Sequence, residues 1–179
     1  MEDQELLEKF SDPATKHYAY NLLVRKYQER VYWLVRKMVI NHEDADDLTQ
    51  EVFIKLWNKL DSFKGNSQLY TWIYRVATNE CLNFLTKKKR KYFIPIHDVG
   101  AELSSQIDSG AYISGDEVQK KLQKALLKLP DKQRLVFNMK YFEDMPYKDI
   151  SEVLGTSVGA LKASYHLAVK KIEAQLSDD

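Results

Sequence analysis

Hydrophobic residues recur along this chain at intervals of three and four, the spacing that gathers side chains on one face of a helix. Leu23, Tyr27, Val31, Leu34 and Met38 form the longest stripe, which ends near Ile40, while Arg25, Lys26, Arg30, Arg36 and Lys37 fall on other faces. This predicts a long core helix. Ahead of it, residues 2 to 10 predict a short helix. Ser11-Asp12-Pro13 then marks a break, with Asp12 as cap and Pro13 at the first position of the long helix. Asn41 can cap the next helix, whose stripe is Leu48, Val52 and Leu56 with Phe53 and Leu60 beside it. Turn residues from Asp61 to Ser67 lead into a helix from Ser67 to about Arg90, with Leu69, Ile73, Val76, Ala77, Leu82 and Leu85 as its core positions.

Composition then changes abruptly. From Phe93 to Glu117 there are four Ser, five acids and no Lys or Arg, together with Pro95, Gly100, Gly110 and Gly115, so a flexible acidic linker is expected. Helical spacing returns in Val118, Leu122, Ala125, Leu126 and Leu129 and stops at Pro130. Asp131 opens another helix with Leu135, Val136, Met139 and Phe142 apolar. The expected fold is all-α, with two small helical domains, residues 1–92 and 114–179, joined by a linker over 93–113.

Charge sharpens the picture because it is sorted into blocks. The formal net charge is only +1. Yet Glu43, Asp44, Asp46, Asp47 and Glu51 follow one another with no Lys or Arg between them, which suits a basic partner. In the first turns of a helix, acids also complement the dipole. Asp44, Asp47 and Glu51 share an exposed face. They can serve protein docking or begin a metal site, although no His or further acid at ligand spacing completes a metal set. From Asp61 to Tyr92, seven Lys and Arg stand against two acids and interleave with Phe63, Tyr70, Trp72 and Tyr74, a pattern suited to nucleic acid. The loop from Phe63 to Ser67 can hold an unstacked base. Trp72 can pack on the long helix or stack on nucleic acid. Lys87 to Lys91 can complement a helix C-terminus or contact phosphates.

A single Cys81 inside a helical pattern excludes an internal disulfide and fits a reducing compartment as a small buried side chain. No segment approaches the ~20 apolar residues of a membrane span, and a cytoplasmic location is expected.

Near the C-terminus, Tyr147, Ile150, Val153 and Leu154 predict a short helix that Gly155 ends. Thr156-Ser157 turns and caps a second one, with the small residues Ser151, Gly159 and Ala160 where the backbones would approach. This is a helix-turn-helix pattern, with an ordinary helical hairpin as the bland alternative. Its second helix presents Lys162, Ser164 and His166, while Val158, Leu161 and Tyr165 are expected to face inward.

Four segments in order, DADDLTQEVFIKLW (44–57), FKGNSQLYTWIYRVATNECLNFL (63–85), LPDKQRLVF (129–137) and YKDISEVLGTSVGALKAS (147–164), resemble the extracytoplasmic-function group of bacterial sigma factors. The resemblance implies a non-enzymatic specificity subunit of RNA polymerase with no cofactor and no small-molecule substrate. It implies docking on the polymerase clamp helices through Asp47, Gln50, Glu51, Phe53 and Trp57. It implies binding of the −10 element through Phe63, Lys64, Asn66, Ser67, Tyr70, Thr71, Trp72, Arg75 and Asn79, with a flipped base held by Phe63, Ser67 and Asn79. The second domain would read the −35 element through Lys162, Ser164 and His166 and sit on the polymerase flap. An anti-sigma factor is a further expected partner. The chain departs from the family at Ala160, where Thr is common, and at Ser164 and Leu167, where basic residues are common. Val158 to Leu176 carries three Lys and one Glu, so few phosphate contacts are available and free DNA affinity should be poor. Two other classes share parts of this pattern: a free-standing helix-turn-helix regulator, and a metal-dependent nuclease using Asp44, Asp47 and Glu51.

Overall fold

The computed structural model describes residues 1–91, 96–108 and 116–178. Helix α1 spans Asp3–Ser11, α2 Lys16–Val39, α3 His42–Lys59 and α4 Leu69–Lys91, with a short 3-10 turn at Leu60–Ser62. Helices α5 (Ile96–Asp108), α6 (Glu117–Leu127), α7 (Asp131–Tyr141), α8 (Tyr147–Leu154) and α9 (Val158–Ser177) follow. No strand occurs among the described residues.

Helices α1, α3 and α4 pack around α2. Its stripe is buried throughout: Leu23, Tyr27, Val31, Leu34 and Met38 are all at most 3% exposed. Each such side chain contributes about 1.5–3 kcal/mol of burial. Asn41 caps α3 as expected, its side chain accepting from the Asp44 amide at 2.9 Å. The start of α2 differs from expectation. The Asp12 carboxylate accepts from the Ala14 amide at 2.9 Å, closing a local turn, and the helix begins only at Lys16. Likewise α4 begins at Leu69, where the Gln68 carbonyl takes the Trp72 amide and the Thr71 hydroxyl.

In the second domain, Asp116 caps α6 by accepting from the Val118 amide at 3.0 Å. Gly155 ends α8 with φ of 67°, a left-handed conformation that glycine adopts without strain. Ser157 caps α9 by accepting from the Ala160 amide at 3.3 Å. Ala125, Leu126, Leu129, Phe137, Ala168 and Ile172 form a small core among α6, α7 and α9.

Two features lie beyond the sequence reading. Within the expected linker, residues 96–108 form α5, with Leu103 and Ile107 buried one turn apart. The rest of that linker, 93–95 and 109–113, lies outside the described residues. Moreover, the two domains share one apolar core: Leu135, Val136 and Met139 of α7, Met145, and Ile150 and Val153 of α8 join the cluster built on α2, α3 and α4. Helix α8 packs against α4, and α7 meets α2. The Arg134 guanidinium, itself buried, donates to the carbonyl of Met38 at 3.0 Å.

Candidate nucleic-acid interface

Two faces of the N-terminal domain carry the expected chemistry. On α3, burying Leu48, Val52 and Leu56 turns Asp47, Gln50 and Glu51 outward, and all three are exposed. Ile54 continues this ridge at 62% exposure, an apolar residue among carboxylates and an amide. Phe53 and Trp57 point the other way. Phe53 is 9% exposed. The Trp57 ring sits against Phe10 at 5.5 Å and Tyr20 at 5.0 Å, and stacks on His17 at 4.9 Å. Periodicity explains both: position 53 adjoins the Val52 stripe, and 57 follows Leu56. Asp46 pairs with His42 at 3.2 Å. Among the described residues no group of three His, Cys, Asp or Glu is placed to hold a metal ion.

On α4 and the loop before it, Lys64, Asn66, Arg75 and Asn79 are exposed. Gly65 holds φ at 72°, so the loop turns through a conformation that a Cβ would strain. Phe63 and Trp72 are both half-buried and meet with ring centroids 5.2 Å apart. Trp72 packs partly against the core, as one of its two sequence readings expects, and keeps part of its surface exposed. Ser67 is half-buried, next to the exposed Asn66.

Other α4 positions, with Arg75, meet the second domain. Thr71 and Tyr74 have no exposed surface, although the α4 pattern alone leaves both outside its core stripe. The Tyr70 hydroxyl donates to the Asp149 carboxylate. The Thr71 hydroxyl lies 3.4 Å from the Glu152 carboxylate, and Arg75 Nε donates to the Glu152 carbonyl at 3.0 Å. The Tyr74 hydroxyl donates to Glu143 at 2.5 Å. Burial raises the Tyr74 phenol, with Glu143 adding to the shift. Burial also lifts the Glu143 carboxyl above its ordinary value, against the pull of Tyr74, Arg30 and Lys37. Asp149 is raised by burial first and by the neighbouring Glu152 second. Sequence reading missed Ile54, Glu143, Asp149 and Glu152. Ile54 alone had a local signal, an apolar residue off the α3 stripe. The three acids come close to α4 only through tertiary packing.

The basic run at the end of α4 is partly engaged. Lys88 pairs with Glu102 at 3.1 Å and Lys89 with Asp131 at 2.7 Å, while Lys87 and Arg90 are exposed. Cys81 is fully buried and its thiol is pushed up to about 12, chiefly by burial, which leaves it unreactive.

In the helix-turn-helix formed by α8 and α9, Lys162 and His166 are exposed, whereas Ser164 is half-buried with its carbonyl accepting from Gln133 at 3.3 Å. Leu161 packs inward as expected and Tyr165 is half-buried. Val158 is 37% exposed, because the first residue of α9 lies beyond the packing with α8. Nothing lies within 4 Å of a Cβ built on Gly159, so close helix packing does not require that glycine.

Comparison with known proteins matches the chain to a family. Residues 23–91 match the model of sigma-70 region 2, and residues 119–172 match that of sigma-70 region 4. The ECF RNA polymerase sigma factor SigW of Bacillus subtilis is 33% identical over 168 residues, covering 89% of this chain and 90% of the relative. The ECF RNA polymerase sigma-E factor of Haemophilus influenzae is 30% identical, with 97% and 95% covered. Among solved structures, CnrH in complex with the cytosolic domain of CnrY aligns with a TM-score of 0.70 at 23% identity, over 99% of this chain and 98% of that one. The sigma factor RpoE in complex with the anti-sigma factor NepR from Bartonella quintana gives 0.68 at 21%, over 89% and 98%. At these identities the structural likeness speaks to the fold.

Proposed function

Because the chain belongs to the extracytoplasmic-function group of the sigma-70 family, we propose that its two domains divide promoter-specific initiation between a polymerase-docking ridge on α3 and DNA-reading surfaces on α4 and α9. It is a sigma factor: it binds core RNA polymerase and directs transcription initiation at promoters. The observation that carries this reading is the order and extent of the two matched regions, 23–91 and 119–172, on a single chain.

The residue assignments follow from surface chemistry. Asp47, Gln50 and Glu51, exposed with Ile54 on one ridge, suit a basic helical partner with an apolar strip, the chemistry expected of the polymerase clamp helices. Apolar Ile54 supplies desolvation, and the carboxylates supply orientation and on-rate. Phe53 and Trp57 then act by holding the ridge in shape. The loop at Phe63–Ser67, with Trp72 beside it and Asn79 exposed on α4, is the −10 surface. A flipped base costs a few kcal/mol to extrude, which stacking on Phe63 and hydrogen bonds to Ser67 and Asn79 offset. Lys64, Asn66, Tyr70, Thr71 and Arg75 line the path of the strand. Lys162, Ser164 and His166 on α9 are the −35 readers, Ser164 by its hydroxyl. The flap of the polymerase is the partner of the second domain.

The two solved relatives were determined with protein partners, one of them an anti-sigma factor. By analogy this chain has an anti-sigma partner that covers the polymerase-facing sides of both domains. Its site of action is the cytoplasm, where polymerase works, and no helix among the described residues is long and apolar enough to cross a membrane. A gel shift with and without core polymerase tests the reading. The −10 and −35 elements should be bound specifically only when polymerase is present. Equally tight, sequence-specific binding by the chain alone would point instead to a free-standing regulator.

A further inference from the structure

Part of the α4 surface assigned to the promoter strand is covered by the second domain, which sets two carboxylates and one backbone carbonyl against its donors. The Glu152 carboxylate meets Thr71 and its backbone carbonyl accepts from Arg75, while the Asp149 carboxylate meets Tyr70. Glu143, on the turn before α8, extends this row past the end of the assigned surface. Its carboxylate accepts from Tyr74 at 2.5 Å and lies 3.9 Å from the guanidinium of Arg30 on α2. Arg30 in turn sits over the rings of both Tyr70, at 5.6 Å, and Tyr74, at 5.4 Å. The donors therefore run on from α4 to α2. Beyond Arg30 opens a cavity of about 340 Å³ lined by Glu29, Arg30, Trp33, Lys37, Tyr74 and Glu143, which brings in a second cation.

Glu143 is a poor occupant of this place. Burial raises its carboxyl despite two nearby cations, so the ionised form is held at a cost. A phosphodiester stays ionised at any working pH and presents two charged non-bridging oxygens to the same donors.

We propose that Arg30, with Lys37 behind it, is a binding site for a backbone phosphate of the single-stranded promoter DNA, an extension of the −10 surface onto α2 that Glu143 fills while the two domains are packed. The proposal rests on the reading of α4 as the −10 surface. In the packed chain Glu143 stands in for a phosphate at Arg30, and α8 covers Tyr70, Thr71 and Arg75 beside it, so domain packing and strand binding exclude one another. The α3 ridge is exposed in the same state. Polymerase docking can therefore come first, and strand capture waits for the second domain to move away.

The test measures binding of a fluorescent single-stranded oligonucleotide, the non-template −10 segment of a promoter at which the holoenzyme initiates, across a range of salt. Each phosphate contact contributes about −0.7 to the slope of log K against log salt on a single strand. In holoenzyme, Arg30→Gln should weaken binding several-fold and make the slope shallower by about 0.7, while Arg30→Lys keeps the slope. In the free full-length chain, Glu143→Gln should raise affinity several-fold over wild type. Arg30 is half exposed, and circular dichroism of Arg30→Gln and Arg30→Lys checks that both keep the wild-type fold. An unchanged slope for Arg30→Gln overturns the phosphate site, and unchanged free-chain affinity for Glu143→Gln overturns its occupation by Glu143. Failure of the underlying reading looks different. Wild-type holoenzyme would then bind the −10 strand no better than a scrambled one, and the proposal would fall with it.

Discussion

Helices α3 and α4 stand side by side in one domain, and each presents polar residues beyond its apolar stripe, yet the two faces meet different fates. The ridge of α3, Asp47, Gln50, Glu51 and Ile54, is open to solvent. On α4, Thr71 and Tyr74 are wholly buried, and Tyr70 and Arg75 are engaged by Asp149 and Glu152. The difference arises in α8, whose Ile150 and Val153 join the core of the first domain while its acids meet the donors of α4. The face proposed for polymerase stays available, whereas the face proposed for DNA is covered by α8, through the carboxylates of Asp149 and Glu152 and the Glu152 carbonyl.

The contrast can be broken most severely at its apolar support. Ile150 has no exposed surface and sits where α8 joins the shared core. Ile150→Ala should lower stability by about 2–5 kcal/mol in denaturant titrations and release the α4 face, leaving the α3 ridge intact. Loss of less than about 0.5 kcal/mol would mean that α8 is not held by this contact. Reversing charge on the ridge comes next. Asp47→Lys with Glu51→Lys should reduce core polymerase affinity about a hundredfold, since like charges at an interface cost several kcal/mol. Domain packing should not change, because both residues are exposed and α8 packs on α4 and α9, not on α3. Unchanged polymerase affinity would remove α3 as the docking face.

Asn79 sharpens the comparison, since it lies on α4 but is exposed. Asn79→Ala should slow open-complex formation about tenfold, the worth of roughly one hydrogen bond with a desolvated base, and spare polymerase association. Equal loss of both would place Asn79 outside the base pocket. The smallest effect is on pH. Burial raises Glu143 and Asp149, so between their unpacked and packed pKa values the packed chain binds more protons. Packing should therefore tighten as pH falls from neutrality into that window and loosen as pH rises through it. The groups facing Glu143 are Arg30, Lys37 and Tyr74, with Glu29 across the same cavity, and those facing Asp149 are Tyr70 and Glu152. Energy transfer between dyes on the two domains should report the change, and Glu143→Gln should flatten it. A flat wild-type profile would exclude Glu143 as a strained carboxylate.

The helices were legible because each carries its own periodicity and caps: the stripe from Leu23 to Met38, Asn41 before α3, Gly155 between α8 and α9. Helix α5 was hidden because Ser, Gly and acids dominate its surroundings, and Leu103 and Ile107 are too few to mark a stripe. The docking of the two domains was not legible at all. It pairs Tyr70 with Asp149 and Met38 with Arg134, residues far apart in sequence whose complementarity appears only when two helices cross. For the same reason Tyr74 read as a surface aromatic and proved to be core. Phe53 and Trp57 show the converse. The resemblance placed them with the docking residues, but their spacing from Val52 and Leu56 turns them inward, where Trp57 packs on Phe10 and Tyr20.

The most direct measurement is run-off transcription by core polymerase and this chain on a promoter library, with the −10 and −35 segments then scrambled one at a time. The division of labour between the domains predicts initiation at a defined set of promoters that is lost when either segment is scrambled. A holoenzyme that assembles and initiates nowhere, or initiates indifferent to both segments, would contradict it.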